Sequence, residues 1–144
     1  MPSREQMIAT ASQWLKAHRD QNATGPGGIT ALAAPDFVMR SLPTSLQAPE
    51  RSREEYAAFQ SGSFAMFEKY EIEELDMVVD ESQRKVIYYL KANGVAVMGA
   101  EYQNEYIHKL TLTEDGKLIK EFDACVDSQA MMNFVGKMQA AQGA

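Results

Sequence analysis

Reactive side chains are scarce in this chain of 144 residues, which contains one cysteine and two histidines. A single thiol excludes a disulfide within the chain. Cys125, His18 and His108 together supply too few ligands for a structural Cys/His zinc site, so we expect no metal site. The chemistry of this protein must therefore depend on carboxylates, phenols, guanidinium groups and imidazoles.

Basic residues and long apolar runs are also scarce. Fourteen Lys and Arg face twenty Asp and Glu, giving a formal net charge of −6. A protein that binds along the phosphate backbone of a nucleic acid needs an excess of basic residues, so we expect no nucleic-acid partner. No stretch approaches the ~18–20 apolar residues that span a bilayer, and the first residues have no signal-peptide pattern. We expect a cytoplasmic protein without membrane contact, which a lone cysteine fits.

The length is that of one globular domain, and we expect residues 1–144 to form it. Ser3 and Gln6 begin a helix with a capping-box pattern. Helical spacing returns at 29–34 and at 51–67, and Asp127 or Ser128 begins a last helix. Strands are predicted at 37–42, 70–79, 85–95, 100–112 and 118–126. The apolar positions of the last two helices are Tyr56, Phe59, Phe64, Phe67, Met131, Met132, Phe134, Val135 and Met138. Helices followed by antiparallel strands indicate an α+β fold.

The turn between the last two strands decides which side chains share a face, since a slip of one residue turns each side chain over. A three-residue loop with Gly116 in the left-handed conformation pairs Thr113 with Lys117, and Lys109 with Glu121. A two-residue Asp115-Gly116 turn is the alternative, and it places Asp123 opposite His108 as a candidate acid–base dyad. We favour the three-residue loop because it pairs opposite charges.

With that loop, one face of the sheet is apolar at the hairpin end and carries two phenols, an amide and an imidazole further along. Its residues are Tyr102, Asn104, Tyr106, His108, Leu110, Leu112, Leu118, Phe122, Ala124 and Val126. An apolar wall with a few convergent polar groups is typical of a small-molecule pocket. The opposite face carries Gln103, Glu105, Ile107, Lys109, Glu121, Asp123 and Cys125.

The strand 85–90 is apolar on both faces, unlike a sheet with one wet side. We therefore expect helices on one side and a second subunit on the other, which makes a homodimer. A central strand covered by loops is the alternative.

Four motifs occur in order: RSLPTSL at 40–46, YQNEY at 102–106, LTEDGK at 112–117 and VDS at 126–128. Together they resemble the fungal SnoaL-like proteins, relatives of nuclear transport factor and scytalone dehydratase. The resemblance covers roughly residues 3–138. It implies a cone-shaped α+β barrel, in which the N-terminal helices and a C-terminal helix close a curved antiparallel sheet around a pocket. It also implies a homodimer.

The same resemblance implies a cofactor-free isomerase or cyclase that acts on a polycyclic, largely apolar polyketide, meroterpenoid or indole alkaloid. Arg40, Tyr102 and Tyr106 match pocket positions of the family, whereas Ala124 stands where those proteins carry a glutamate. His108 is the expected base in place of that acid, with Asp123 as second choice. Arg40 would hold a substrate oxygen, and the two tyrosines would donate protons. Substrate contacts are expected from Asn104, Phe122, Ala124 and Tyr56.

Other interpretations remain open at this point. A dehydratase needs the same acid and base groups, and a non-catalytic binding module needs only the pocket. His108 could be packed on Leu110 without a chemical task, and Arg40 could pin a loop through a salt bridge. His18 lies on the apolar stripe of the first helix, where a structural role is expected.

Overall fold

A computed structural model describes residues 1–143 and contains four α-helices and six strands. The helices are α1 (Arg4–Arg19), α2 (Ile29–Leu32), α3 (Arg53–Ala65) and α4 (Ser128–Gly143). The strands are β1 (Ala33–Leu42), β2 (Arg51–Ser52), β3 (Phe67–Asp80), β4 (Lys85–Ala96), β5 (Glu101–Leu112) and β6 (Ile119–Val126). The α+β class and the four long strands of the second half are confirmed.

The strands form one sheet in the order β2-β1-β6-β5-β4-β3. Neighbours from β3 to β6 are antiparallel, as predicted, but β1 runs parallel to β6. The sheet is therefore mixed, and its edge strands β2 and β3 are not joined into a closed barrel. In sequence, β1 and β6 are separated by β2, α3 and the three antiparallel strands β3, β4 and β5. Local turn signals therefore do not reveal that β1 and β6 pair.

Helix α1 covers the inner face of the sheet with the stripe that its sequence predicts. Ser3 accepts a hydrogen bond from the backbone N–H of Gln6, at 3.0 Å, and so caps the helix. Met7, Ala11 and Trp14 are at most 1% exposed on its inner side. None of the helices in residues 1–143 is long and apolar enough to cross a membrane.

The hairpin between β5 and β6 differs from both sequence-based registers. The Thr113 N–H donates to the Leu118 carbonyl at 2.9 Å, so Thr113 does not pair with Lys117. Gly116 has the expected positive φ, +71°. A register shift lies between Thr111 and Leu112, which pairs with Ile119, and it adds one residue to β6. Ile119 is consequently buried in place of the predicted Leu118.

Along the rest of the hairpin, the observed partners on β6 differ from the predicted ones by two residues. Because side chains alternate between faces, a change of two leaves each side chain on its predicted face. Leu110 pairs with Phe122 and His108 with Ala124, and all four are buried. Lys109 pairs with Asp123 instead of Glu121, on the opposite face. The register therefore changes the partners but leaves the predicted inner row inside.

Two inward assignments on the helices are wrong. Phe59 is 47% exposed, and the Arg51 guanidinium lies 3.9 Å above its ring centre. Met132 is 59% exposed, while Phe134 alone is buried in α4. Helix α4 contacts the rest of the protein along one narrow side. Only one row of its side chains is therefore buried, although its sequence is apolar on more than one side.

Candidate functional site

The candidate site is a row of polar side chains on the inner face of β5. Alternation along this strand directs Tyr102, Asn104, Tyr106 and His108 inward, and each is at most 8% exposed. Among residues 1–143, the other buried side chains with a polar group of this kind are Thr10, His18, Tyr56 and Tyr88. The structure thus brings together four of the predicted site residues on one strand.

Three tyrosine hydroxyls meet at one end of this row. The Tyr106 hydroxyl lies 3.2 Å from that of Tyr70 and is also hydrogen-bonded to that of Tyr102. Burial is the largest cause that raises the pKa of all three phenols. The cluster is therefore fully protonated at neutral pH and can donate hydrogen bonds to an oxygen placed against it.

Tyr70 is the member of this cluster that the sequence did not single out. Tyr70 lies in the acidic stretch of β3, where it alternates with charged residues. That alternation is the sequence signal that could have identified Tyr70 as an inward-facing residue. Phe67 and Phe134 pack around Tyr102, at 5.3 and 4.7 Å between ring centres. These rings keep the phenol cluster in apolar surroundings.

Asn104 presents an unpaired amide N–H group beside the phenols. Its Oδ1 accepts from the backbone N–H groups of Glu105, at 2.8 Å, and Asp127, at 2.9 Å. Those two donors fix the orientation of the amide, because only the oxygen can accept. The Asn104 Nδ2 is buried without a hydrogen-bond partner in the described residues. A buried donor of this kind carries a desolvation cost that a ligand oxygen can relieve.

His108 lies next to Tyr106 in an apolar enclosure. Its ring stacks on that of Tyr106 at 5.2 Å and meets the Phe122 ring edge-on at 4.7 Å. Burial, followed by the charge of His18, lowers the pKa of His108 to about 3. The imidazole is neutral at pH 7 and is a weaker base there than the ordinary histidine that the sequence analysis assumed.

The predicted contact residues Tyr56, Phe122 and Ala124 also line this interior. Tyr56 reaches it from α3 and packs edge-on against Phe122, with 5.5 Å between ring centres. Ala124 is 6% exposed and is the direct strand partner of His108. Because alanine stands there, the inner face of β6 adds no carboxylate to the site.

Arg40 is not part of this interior, contrary to the expectation of a pocket role. It lies on the outer face of β1, where its Nη1 donates to Asp123 at 3.1 Å and its Nη2 to Glu121 at 3.0 Å. Its Nε donates to Glu50 at 3.2 Å. Met39, the preceding residue, takes the inward position and is 4% exposed. The salt-bridge interpretation of Arg40 therefore describes its place in the fold.

The alternative dyad of Asp123 and His108 is also wrong. Asp123 faces outward and pairs with Lys109, at 3.2 Å, as well as with Arg40. His108 faces inward from the neighbouring strand, on the other side of the sheet. The two side chains cannot share a proton across the sheet.

Two surface depressions, of about 270 and 280 Å³, lie at the start of β5. Glu101 and Gln103 contribute to both, Lys137 and Asn133 of α4 to the first, and Tyr102 to the second. The second depression thus brings solvent close to the tyrosine end of the inner row. Within residues 1–143, no group of three or more His, Cys, Asp or Glu side chains is placed to hold a metal ion.

The architecture and the buried polar row define an α+β protein with the nuclear transport factor-like cone fold. An NTF2-like protein of unknown function from Burkholderia pseudomallei superposes with a TM-score of 0.74 at 14% identity, covering 90% of this chain and 96% of that one. No protein-family model matches the chain.

More specific similarity is to fungal proteins. The BvnE pinacolase from Penicillium brevicompactum superposes with a TM-score of 0.87 at 26% identity, covering 95% of this chain and 93% of that one. Austinoid biosynthesis clusters protein H of Penicillium brasilianum is 27% identical over 143 residues, 96% of this chain and 95% of that protein. A protein named monooxygenase nsrS, from Aspergillus novofumigatus, is 29% identical over 133 residues, 91% of this chain and 87% of that protein. The resemblance to fungal SnoaL-like secondary-metabolite proteins is confirmed.

Proposed function

We propose that this protein is a cofactor-independent isomerase or cyclase that rearranges a polycyclic, largely apolar fungal metabolite by acid–base catalysis. A polyketide, a meroterpenoid or an indole alkaloid is the substrate class. The observation that carries the proposal is the cluster of three phenols, of which Tyr102 and Tyr106 are buried, beside the unpaired Asn104 amide. The similarity to a pinacolase and to an austinoid-cluster protein supports it.

In this proposal the phenol cluster and Asn104 hold a substrate oxygen. Donors that are already oriented stabilise the negative charge that develops on a carbonyl or hydroxyl oxygen during a rearrangement. When Tyr70 and Tyr102 donate to its hydroxyl, Tyr106 is left free to direct its own hydrogen to the substrate oxygen. Tyr102 supports this donor, because its one hydroxyl hydrogen goes to Tyr106, and the Asn104 amide is the second donor of this subsite.

The remaining inner residues shape the reacting conformer. Phe122, Tyr56 and Ala124 provide an apolar wall, and His108 provides a neutral nitrogen within it. A rigid apolar enclosure accelerates an intramolecular rearrangement by holding the reacting atoms close together. His108 would accept a hydrogen bond from a substrate hydroxyl and so orient that group.

The test compares Tyr106→Phe and Tyr102→Phe with the matched control Tyr89→Phe, whose hydroxyl donates to Glu105 on the exposed outer face. Polycyclic hydroxyketones of fungal origin are incubated with each variant and followed by chromatography with mass detection. We expect a product of unchanged mass, a rate loss of roughly 100-fold in the two inner variants, and none in Tyr89→Phe. Equal rates in all three variants would exclude the phenol site.

A dehydratase is distinguished in the same assay by the loss of water from the product. A non-catalytic binding module is the other candidate, and the absence of Asp and Glu among the buried residues of 1–143 favours it. Tight binding of a compound that no variant transforms would support the binding module against the isomerase.

We also propose that the outer face of the sheet forms a homodimer. Tyr89, Ile107 and Cys125 are neighbours across three strands of this face, and the first two are 38% and 43% exposed. Contiguous exposed apolar side chains on a central part of a sheet are typical of an interface.

A further inference from the structure

A second hydrogen-bonded pair of titratable side chains lies in the same interior, and no proton transfer has been assigned to it so far. His18 of α1 is 3% exposed, and its Nε2 is 2.9 Å from the hydroxyl of Tyr56. Its Nδ1 is 2.8 Å from the backbone carbonyl oxygen of Trp14. Both nitrogens of this buried ring are therefore engaged.

The two partners fix where the protons are. A carbonyl oxygen only accepts, so Nδ1 of His18 carries the hydrogen of the neutral ring. Nε2 is then the lone-pair nitrogen, and the Tyr56 hydroxyl donates to it. The oxygen of Tyr56 retains lone pairs that can accept another proton.

The pair is better suited to hold an added proton than His108 is. The Trp14 carbonyl continues to accept from Nδ1 when the ring is charged, and His18 lies in the last turn of α1, where the helix dipole favours a cation. Burial lowers the pKa of His18 to about 4, and the hydrogen bond to Trp14 opposes this shift. At His108 no comparable hydrogen bond opposes the lowering of the pKa by burial.

Tyr56 and the phenol cluster also share one enclosure. The His18 and His108 rings are 6.4 Å apart, and both pack against Phe122. A proton donor at one end and a proton acceptor at the other is the arrangement that an isomerisation needs.

We propose that Tyr56, positioned by His18, is the proton-accepting group of this interior and takes a proton from a substrate C–H or O–H bond. This proposal rests on the proposed function and deepens it. Tyr56 Oη accepts the substrate proton as its own hydroxyl proton passes to His18 Nε2. The electron pair of the broken bond stays on the substrate as an enolate or alkoxide beside the phenol cluster. The two transfers in reverse deliver a proton to another substrate atom, so nothing is consumed.

This reaction selects a class of substrate. The molecule must carry an acidic C–H or a hydroxyl on one side and a carbonyl oxygen on the other. A hydroxyketone or a dicarbonyl compound meets both requirements. The handover to His18 also avoids a free Tyr56 phenolate, which burial disfavours.

The test uses a nitrobenzisoxazole, an apolar aromatic probe that needs only a base. Removal of its ring C–H proton sends the bonding electrons into a nitrile as the N–O bond breaks, and a coloured phenolate leaves. Tyr56→Phe removes the acceptor, and His18→Gln retains an acceptor for the Tyr56 hydroxyl but cannot take its proton. Lys16→Gln, on the exposed side of the same helix, is the control. We expect at least about a 100-fold fall in kcat for the first two variants with KM nearly unchanged.

A spectroscopic readout reports the protonation of His18, and circular dichroism recorded at each pH separates it from unfolding. Trp14 is the only tryptophan, and its ring is 5.0 Å from that of His18. The groups that face His18 are Tyr56 of α3 and His108 of β5, with Phe64 and Phe122 as apolar neighbours. A protonated imidazole quenches indole emission, so wild-type fluorescence should fall near pH 4. The fall should be absent in His18→Gln and present in Lys16→Gln.

The results separate this inference from the proposed function. Loss of probe turnover in Tyr56→Phe and His18→Gln, with full turnover in Lys16→Gln, supports the base pair whether or not any hydroxyketone is isomerised. Wild-type turnover no faster than that of His18→Gln overturns it. Turnover that is lost in His108→Ala but retained in His18→Gln assigns the base to His108 instead.

Discussion

The two buried histidines predict that acid destabilises this protein well above the range in which carboxylates titrate. The pKa of His18 falls from 6.5 to about 4 in the folded state, and that of His108 from 6.5 to about 3. Both rings are buried, so the folded protein stays neutral at positions where the unfolded chain takes up protons. Because the unfolded state binds more protons, the free energy of unfolding falls as the pH decreases below 6.5.

The magnitude follows from the two shifts. At about pH 4.5 each histidine is two units below its unfolded pKa and still mostly neutral in the fold. Each then lowers the free energy of unfolding by about 2–3 kcal/mol, and the pair by about 5 kcal/mol. The total stability of a domain of this size is about 5–15 kcal/mol, so this loss brings the protein close to unfolding.

Urea unfolding followed by circular dichroism, at pH 7 and at about pH 4.5, measures the effect. His108→Leu is the informative variant, because leucine fills the site and the imidazole has no hydrogen bond that contributes to its pKa. We expect the acid-induced loss to fall from about 5 to about 3 kcal/mol in this variant. Equal losses in wild type and His108→Leu would refute the burial argument for His108.

Two further predictions concern the outer face of the sheet. Arg40→Gln removes the ion pairs to Glu121 and Asp123 and should lower the free energy of unfolding by about 1 kcal/mol at low salt and by less at high salt. Turnover should be unchanged. A large loss of activity in the folded variant would show that Arg40 takes part in catalysis. Ile107→Glu places a charge at the centre of the proposed dimer face, so sedimentation should show a dimer for wild type and a folded monomer for the variant. A monomeric wild-type protein would contradict the dimer proposal.

The sequence predicted the parts of the site that depend on alternation along a single strand. Tyr102, Asn104, Tyr106 and His108 occupy alternate positions of β5, so any fold that buries one face of this strand buries all four together. The hairpin prediction had the wrong partners but the right face, because the observed pairing differs by an even number of residues along most of β6. Local periodicity also fixed the helix α1 and its Ser3 cap.

The sequence could not decide contacts between elements that are far apart along the chain. Arg40 has a motif that matched a pocket position, but the parallel pairing of β1 with β6 sets it beside Asp123 on the outer face. Tyr70 joins Tyr106 only because β3 lies next to β4 in the curved sheet. The connection from β1 to β6 is long, and Tyr70 and Tyr106 lie on strands that are separated by β4, so hairpin pairing predicts neither contact.

The scarcity of cysteine and histidine, visible in the sequence alone, restricted the chemistry to carboxylates, phenols, guanidinium groups and two imidazoles. Only the tertiary structure decided which of these groups meet. It buried both histidines in one interior, where removal from water lowers both pKa values and one ring gains the Tyr56 hydroxyl as a partner. Charge and hydrogen bonding act through space, so the properties of His18 and His108 depend on neighbours that a linear pattern does not contain.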